Sequence, residues 1–432
     1  MTADPDPAAE DRADPVAAPA ARARQAAMPF IMLTVLIDMV SIGLIIPVLP
    51  RLVGSFERSA GDLAGAYALV AAAFGFANFL GSPVLGALSD RFGRRPVLLI
   101  GFSGLAFSFF ATAAATALWM LVAIRLVSGA LQANIAVANA YVSDITPPED
   151  RARRFGMLGA MFGLGFILGP VTGGLLSGID LRLPFWCAGG LAICNWLYGF
   201  FVLPESLPPA RRQPFSWGRA NPVGSLLQLS RMRHLAALLA VVALSAMAQF
   251  ILQSTWALYT QIKFGWTSMQ VGMSLGAVGV MSVIVQGALV GRMTRHFGAA
   301  RVAVIGLASS AACYVAWGAA TQGWMMYAVI ACNVFGFAAS TALQSIVANA
   351  ADPSAYGRTM GTVSGLSSLM AAVAPAIGPL LLKSVADAPR GDWRLGAPFY
   401  VCAALQAVAM AMTLVHIRHH RPAEPATPAA AS

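Results

Sequence analysis

Apolar residues in this chain come in long unbroken runs, and the polar residues gather between them. That pattern differs from the alternation of half-buried strands and from the one-sided stripe of soluble helices. Roughly 20 apolar residues cross a bilayer as a helix. Twelve such windows are present, at about 30–50, 64–88, 96–115, 118–142, 155–177, 184–203, 235–255, 269–291, 302–320, 324–348, 359–382 and 395–417. Between the sixth and seventh lies the polar, helix-breaking stretch 204–234, with Pro204, Pro208, Pro209, Arg211, Arg212, Pro214 and Pro222. The pattern predicts an all-α integral membrane protein: twelve transmembrane helices in two six-helix bundles, 28–203 and 235–418, joined by the linker 204–234. Residues 1–27 and 419–432 are expected to be disordered tails, and the first lacks the basic start and short apolar core of a cleavable signal.

The two bundles are related. At a constant offset of 205 residues, Gly86, Phe92, Gly93, Val97, Ile100 and Gly101 fall on Gly291, Phe297, Gly298, Val302, Ile305 and Gly306. Trp119, Met120, Arg153, Gly156, Pro170 and Gly173 fall on Trp324, Met325, Arg358, Gly361, Pro375 and Gly378. Parallel repeats of this kind are one architecture that exposes a central site to either side in turn as the halves rock. The halves diverge in charge. Asp38 is replaced by Ala243, Asp90 by Arg295, Arg125 by Ile330 and Asp144 by Asn349, so proton handling is expected in the first half.

Composition sharpens this. At 58% hydrophobic and 11% charged, the chain is too apolar for a soluble protein of this length. The net charge of +10 does not point to nucleic acid, because 20 of the 28 Lys and Arg lie on the side of the two termini, 7 on the other, and Arg125 inside. This bias makes both ends cytoplasmic. The preponderance of Arg over Lys, with abundant Ala, hints at a GC-rich bacterial genome, and the expected location is the inner membrane of a bacterium. The five cysteines all fall in spans without ligand partners, so no metal, disulfide or cofactor is expected. No phosphate-loop pattern occurs, and Gly163-Leu-Gly165 lacks a preceding strand. ATP is therefore not expected as the energy source.

Several motifs carry chemistry. The turn after the second window reads Gly86-Ala-Leu88-Ser-Asp90-Arg91-Phe-Gly93-Arg94-Arg95-Pro96, and its Asp and Arg residues, with Asp144, can form a charged latch at the membrane surface. It resembles the loop signature of the major facilitator superfamily. Arg125-Leu-Val-Ser-Gly129 resembles the signature of proton-coupled members. Gly165-Phe-Ile-Leu-Gly169-Pro170-Val-Thr-Gly173-Gly174 resembles the antiporter signature, and Gly43 to Pro50 resembles that of twelve-helix drug:proton antiporters. The small residues at four-residue spacing allow close helix approach and Pro170 permits a bend.

Within that group the chain looks most like tetracycline efflux proteins, through Asp38 to Pro50, Pro83 to Leu99, Ala140 to Thr146, Arg151-Ala-Arg153, Pro204-Glu205-Ser206 and Trp256-Ala-Leu258. The resemblance implies the major facilitator fold and proton-coupled export. It departs from the pattern at Ser108, Ser310 and Ser282, where tetracycline exporters carry acids in the third and ninth helices and a His in the eighth. A cationic metal chelate wants carboxylates, so the drug itself stays open.

Asp38 and Arg125 are the candidate proton-coupling pair. A charge at bilayer depth is expensive and functional by default; the bland alternatives are a structural Asp and a tether for the fourth helix. Their depths differ by roughly 10 Å along the axis, which leaves either a direct ion pair or a water chain between them. Asn78, Gln132, Gln249, Gln253, Gln286 and Asn333 are candidate substrate-cavity amides, and each is equally suited to joining helices. Asp90, Arg91, Arg94, Arg95 and Asp144 are expected in the latch. The expected function is a monomeric secondary transporter that exchanges an amphiphilic small molecule, a drug or an endogenous metabolite, for protons. A non-transporting receptor is the remaining alternative, and no enzyme is expected.

Overall fold

The computed structural model describes residues 17–132, 134–147, 150–217, 235–350 and 356–419. Residues 1–16, 218–234 and 420–432, which belong to the expected tails and linker, lie outside the described residues, as do the side chains of Asn349 and Arg358. All twelve predicted windows fall on helices. The first half contains α1 (Ala17–Ile45), α2 (Leu49–Gly54), α3 (Ala60–Phe92), α4 (Arg94–Ala114), α5 (Leu118–Leu131), α6 (Asn134–Ile145), α7 (Arg151–Leu176) and α8 (Leu183–Phe201). The second contains α9 (Ala236–Phe264), α10 (Ser268–Ile284), α11 (Val290–Phe297), α12 (Ala299–Ala319), α13 (Gly323–Cys332), α14 (Val334–Ala350), α15 (Tyr356–Lys383) and α16 (Ala397–His419).

Ten of the described helical segments are long and apolar enough to cross a membrane, and α13 with α14, bent by 47°, makes an eleventh. The remaining window forms α8, 19 residues whose mean hydropathy is lowered by Pro184, Asn195 and two Trp. It packs on α4 and α1 like its neighbours. α1 begins upstream of the expected first window because its opening stretch is rich in Ala and Arg, both good helix formers.

Local chemistry sets the turns. Ser59 caps α3 by accepting the Asp62 N–H. Thr267 and Gln270 form a reciprocal capping box on α10. Gly93 and Gly298, which share a position in the two repeats, join α3 to α4 and α11 to α12 with φ of 110° and 79°, values that penalise any side chain.

The repeat reappears in the packing. In the first half α1 lies against α7 and α4 against α8; in the second α9 lies against α15 and α12 against α16. The halves meet through α7 against α10 and α3 against α15, two contacts that exchange under the same repeat. Three apolar clusters follow. One, built around Leu44, Val48, Tyr67, Trp256, Tyr259 and Phe399, joins both halves at the Pro47 end. The other two belong to one half each, around Val35, Leu98 and Tyr141 and around Leu239, Val302 and Val347. At the Pro47 end the Gln261 side chain donates across the interface to the Pro47 carbonyl at 3.2 Å. Toward the Arg-rich end the facing glycines Gly156, Gly159, Gly287 and Gly291 have open space beside them. The two halves are therefore closed together at one end and splayed at the other.

Candidate functional site

Asp38 sits in α1 at 3% exposure, in the cluster confined to the first half. Asn134, the first residue of α6, donates its Nδ2–H to Asp38 Oδ1 at 3.1 Å. Both border a small cavity with Thr34, Val35, Met39, Leu98, Phe102 and Phe162. Burying a carboxylate among such side chains is costly without a donor, and the Asn134 amide supplies one.

Arg125, 8% exposed, occupies α5, which packs on α3, within electrostatic range of Tyr67 of α3. Its Nε and Nη2 meet no acceptor among the described residues. Asp38 and Arg125 form no ion pair there either. Of the two sequence-based arrangements, direct pairing is thus not the one adopted. The reason is axial: Arg125 lies beside the cluster shared by both halves, and Asp38 lies beside the one that is not.

Between them the fourth span breaks. Gln132 leaves helical geometry (φ −98°, ψ 89°), and the freed carbonyls need partners. Asn78 of α3 supplies them, donating to Gln132 O at 2.5 Å and Gly129 O at 3.4 Å. The tenth span breaks about one turn from the equivalent position, at Asn333, whose Oδ1 accepts from Ser309 at 3.4 Å. The eighth span carries a π-helical turn, Val285–Leu289, around Gln286. Gln286 donates to Ser282 at 2.6 Å. Broken helices at corresponding places in two repeats mark the region where transporters bind their cargo, and π-turns mark functional sites. Gln249 and Gln253 lie four residues apart on one exposed face of α9, and Gln249 accepts from Tyr314 at 3.4 Å. Asn78 is thus a helix-joining group, Gln132 enters through its backbone, and Gln253 and Gln286 are exposed. Ser108 and Ser310 are buried.

At the Arg-rich end Arg94 is clamped. Its Nη1 lies 2.5 Å from Asp90 Oδ1 and its Nε 2.9 Å from Asp144 Oδ2, and Nη1 also donates to Ser89 Oγ at 2.7 Å. Glu205 completes the cluster. Its carboxylate accepts the backbone N–H of Arg94 at 2.8 Å and of Arg95 at 3.3 Å, at the start of α4, where a negative charge opposes the helix dipole favourably. Glu205 belongs to the Pro204-Glu205-Ser206 stretch that carries part of the resemblance, but the motifs gave it no place in the latch. Arg91 and Arg95 do not join the ion pairs: Arg91 lies over the Phe92 ring, and Arg95 reaches the Phe200 carbonyl. Lys263 was also missed. It is buried and donates to Gly318 O at 2.7 Å beside the Tyr259 ring.

The helix-five motif works as a two-sided seam. A Cβ on Gly169 would stand 2.7 Å from Gly43 Cα, and Gly165 and Gly173 press on Met39 and Leu44 in the same way. Gly174 turns the other way, where an added Cβ would stand 2.8 Å from Met269 Cα of α10, and the Pro170 carbonyl packs against Gly272. α7 therefore touches α1 in its own half and α10 in the other. Among the described residues no three His, Cys, Asp or Glu side chains converge as metal ligands.

A family model described as Major Facilitator Superfamily matches residues 31–375 and 284–432. The tetracycline resistance protein, class C, of Escherichia coli is 37% identical over 377 residues, which cover 87% of this chain and 93% of that protein. The class D protein of Salmonella ordonez is 32% identical over 366 residues, covering 84% and 92%. The crystal structure of the human organic anion transporter MFSD10 (TETRAN) superposes with a TM-score of 0.67 at 25% identity, covering 90% of this chain and 99% of that one. With two related bundles, a broken span in each and these likenesses along most of its length, the chain belongs to the Major Facilitator Superfamily, whose members are transporters and not enzymes.

Proposed function

We propose that the protein exports a hydrophobic or amphiphilic small molecule from the cytosol in exchange for protons, by alternating access, in the inner membrane of a bacterium with both termini cytoplasmic. The observation that carries this reading is Asp38, a carboxylate buried in an apolar cluster with an amide for a partner and no ion pair among the described residues. Such a group can take up a proton and lose it again as its surroundings change. One charge crossing 100 mV yields about 2.3 kcal/mol, and one pH unit adds about 1.4 kcal/mol. One or two protons therefore sustain a useful gradient. With the Arg-rich end cytosolic, the splayed geometry is an inward-facing state, ready to receive cargo from the cytosol. Arg125 is in place to influence the order of protonation and binding. Tetracycline-like molecules are the first candidates because of the relatives' names.

The test is proton-driven tetracycline uptake into inverted membrane vesicles. Asp38→Asn abolishes it while the purified protein remains monodisperse, and unimpaired uptake in that variant overturns the assignment. A second reading, export of an endogenous metabolite, is favoured by Ser108, Ser282 and Ser310 standing where tetracycline exporters carry charge. A susceptibility panel in a pump-deficient host separates the two, since no shift for any drug supports the metabolite.

A further inference from the structure

Thr34 lies one helical turn before Asp38 on α1, so both side chains share a face with their Cβ atoms about 5–6 Å apart. The Thr34 hydroxyl is 1% exposed and has no hydrogen-bond partner among the described residues. That is unusual for a helical Thr, whose hydroxyl ordinarily returns to a carbonyl of the preceding turn. Thr34, Asp38 and Asn134 all border the same small cavity, which has room for about one water molecule. A water there finds two or three polar partners, as buried waters require. No direct bond joins the Thr34 hydroxyl to Asp38, and a water between the two side chains would bridge them.

We propose that Thr34 and Asn134 are positioning residues that hold one bridging water on Asp38, the water joining the Thr34 hydroxyl to the carboxylate while the Asn134 amide donates to Oδ1. The transport consequence rests on Asp38 being the proton carrier. In that site the ionised carboxylate receives two donors, the amide and the water. Each favours the charged form and so sets the pH at which the proton leaves. Because Asn134 opens α6 directly after the break in the fourth span, the same amide ties that segment to α1 while Asp38 is ionised. Among the described residues no second titratable group lines the cavity. Val35 and Met39 from α1, Leu98 and Phe102 from α4, Ile135 from α6 and Phe162 from α7 are apolar. Along α4 the nearest charges are Arg95, which reaches the Phe200 carbonyl, and Arg94, which is held by Asp90 and Asp144. Along α6, Tyr141 is bonded to the Pro204 carbonyl, and from α8 Asn195 donates to the Thr34 carbonyl.

The test is infrared titration of the purified full-length protein, with the Asp38 carboxyl band identified by its loss in Asp38→Asn. The expected result is a midpoint about one pH unit higher in Asn134→Ala and a smaller rise in Thr34→Val, because each removes a donor to the anion. Thr34→Ser, which keeps the hydroxyl, is expected to retain the original midpoint. Thr34→Val is nearly isosteric, and an unchanged thermal midpoint shows that it folds. An unchanged titration in Thr34→Val overturns the bridging water, and an unchanged titration in Asn134→Ala overturns the amide's role. If both variants shift the band but Asp38→Asn still drives tetracycline uptake, the water site stands and the proton-carrier reading falls.

Discussion

Arg94 is held from several directions at once: Asp90 one turn back on α3, Asp144 at the end of α6, and the Glu205 carboxylate on its own backbone N–H. All of these belong to the first half or to the stretch that leaves it, so the cluster binds that bundle together and does not bridge the two. Replacing Arg94 with Ala leaves Asp144 partly buried without its cation. The expected loss is roughly 2 kcal/mol, seen as a lower thermal midpoint of the purified protein. Glu205→Gln keeps the acceptor oxygen but removes the charge at the start of α4 and costs about 1 kcal/mol or less. A larger drop for Glu205→Gln than for Arg94→Ala would contradict this ranking. At the residue scale the sequence exposed the charged positions, because charges in apolar runs stand out. The roles of Asn134, Thr34 and Glu205 were not legible, since an amide, a hydroxyl and a loop acid are common and acquire meaning only from the groups they meet.

Among elements, α7 is the one shared by both halves. Its glycines at 165, 169 and 173 serve the contact with α1, and Gly174 serves α10. Gly174→Ala forces a methyl against the Met269 backbone, an overpacking cost of about 1–3 kcal/mol directed at the junction that closes the Pro47 end. Proton-driven uptake is expected to fall by on the order of tenfold. Gly159→Ala, where an added Cβ meets nothing within 4 Å, is expected to leave uptake unchanged. Equal effects at the two positions would argue that the motif serves helix propensity and not contact. The spacing of this motif was legible in the sequence as a close-packing face. That its last two glycines look in opposite directions was not, because helical periodicity fixes relative orientation but does not name the neighbours. The breaks at Gln132 and Asn333 were hidden for a similar reason: both windows are predominantly apolar and hold no Pro, and nothing local forbids a continuous helix.

For the whole molecule, the single apolar cluster at one end and the two separate clusters at the other describe a body able to rock about its closed end. Gly163 lies near the limit of contact, with an added Cβ 3.2 Å from Val283 Cγ2 across the interface. In a background with the five native cysteines changed to Ser, Gly163→Cys paired with Val283→Cys is expected to form a disulfide. The bond would hold the halves at that separation, and uptake is expected to return on reduction. Rapid cross-linking with undiminished transport would rule out rocking at this junction. The sequence by itself determined the spans, the two-fold repeat and the sidedness of charge, because burial in lipid forces apolar length and because a duplicated bundle keeps its glycines in register. Only the tertiary structure decided that Asp38 is bonded to Asn134 and not to Arg125, that Glu205 caps α4, and which end is closed. Those outcomes depend on axial positions and on contacts between helices distant in the chain, and periodicity within one helix carries no information about either.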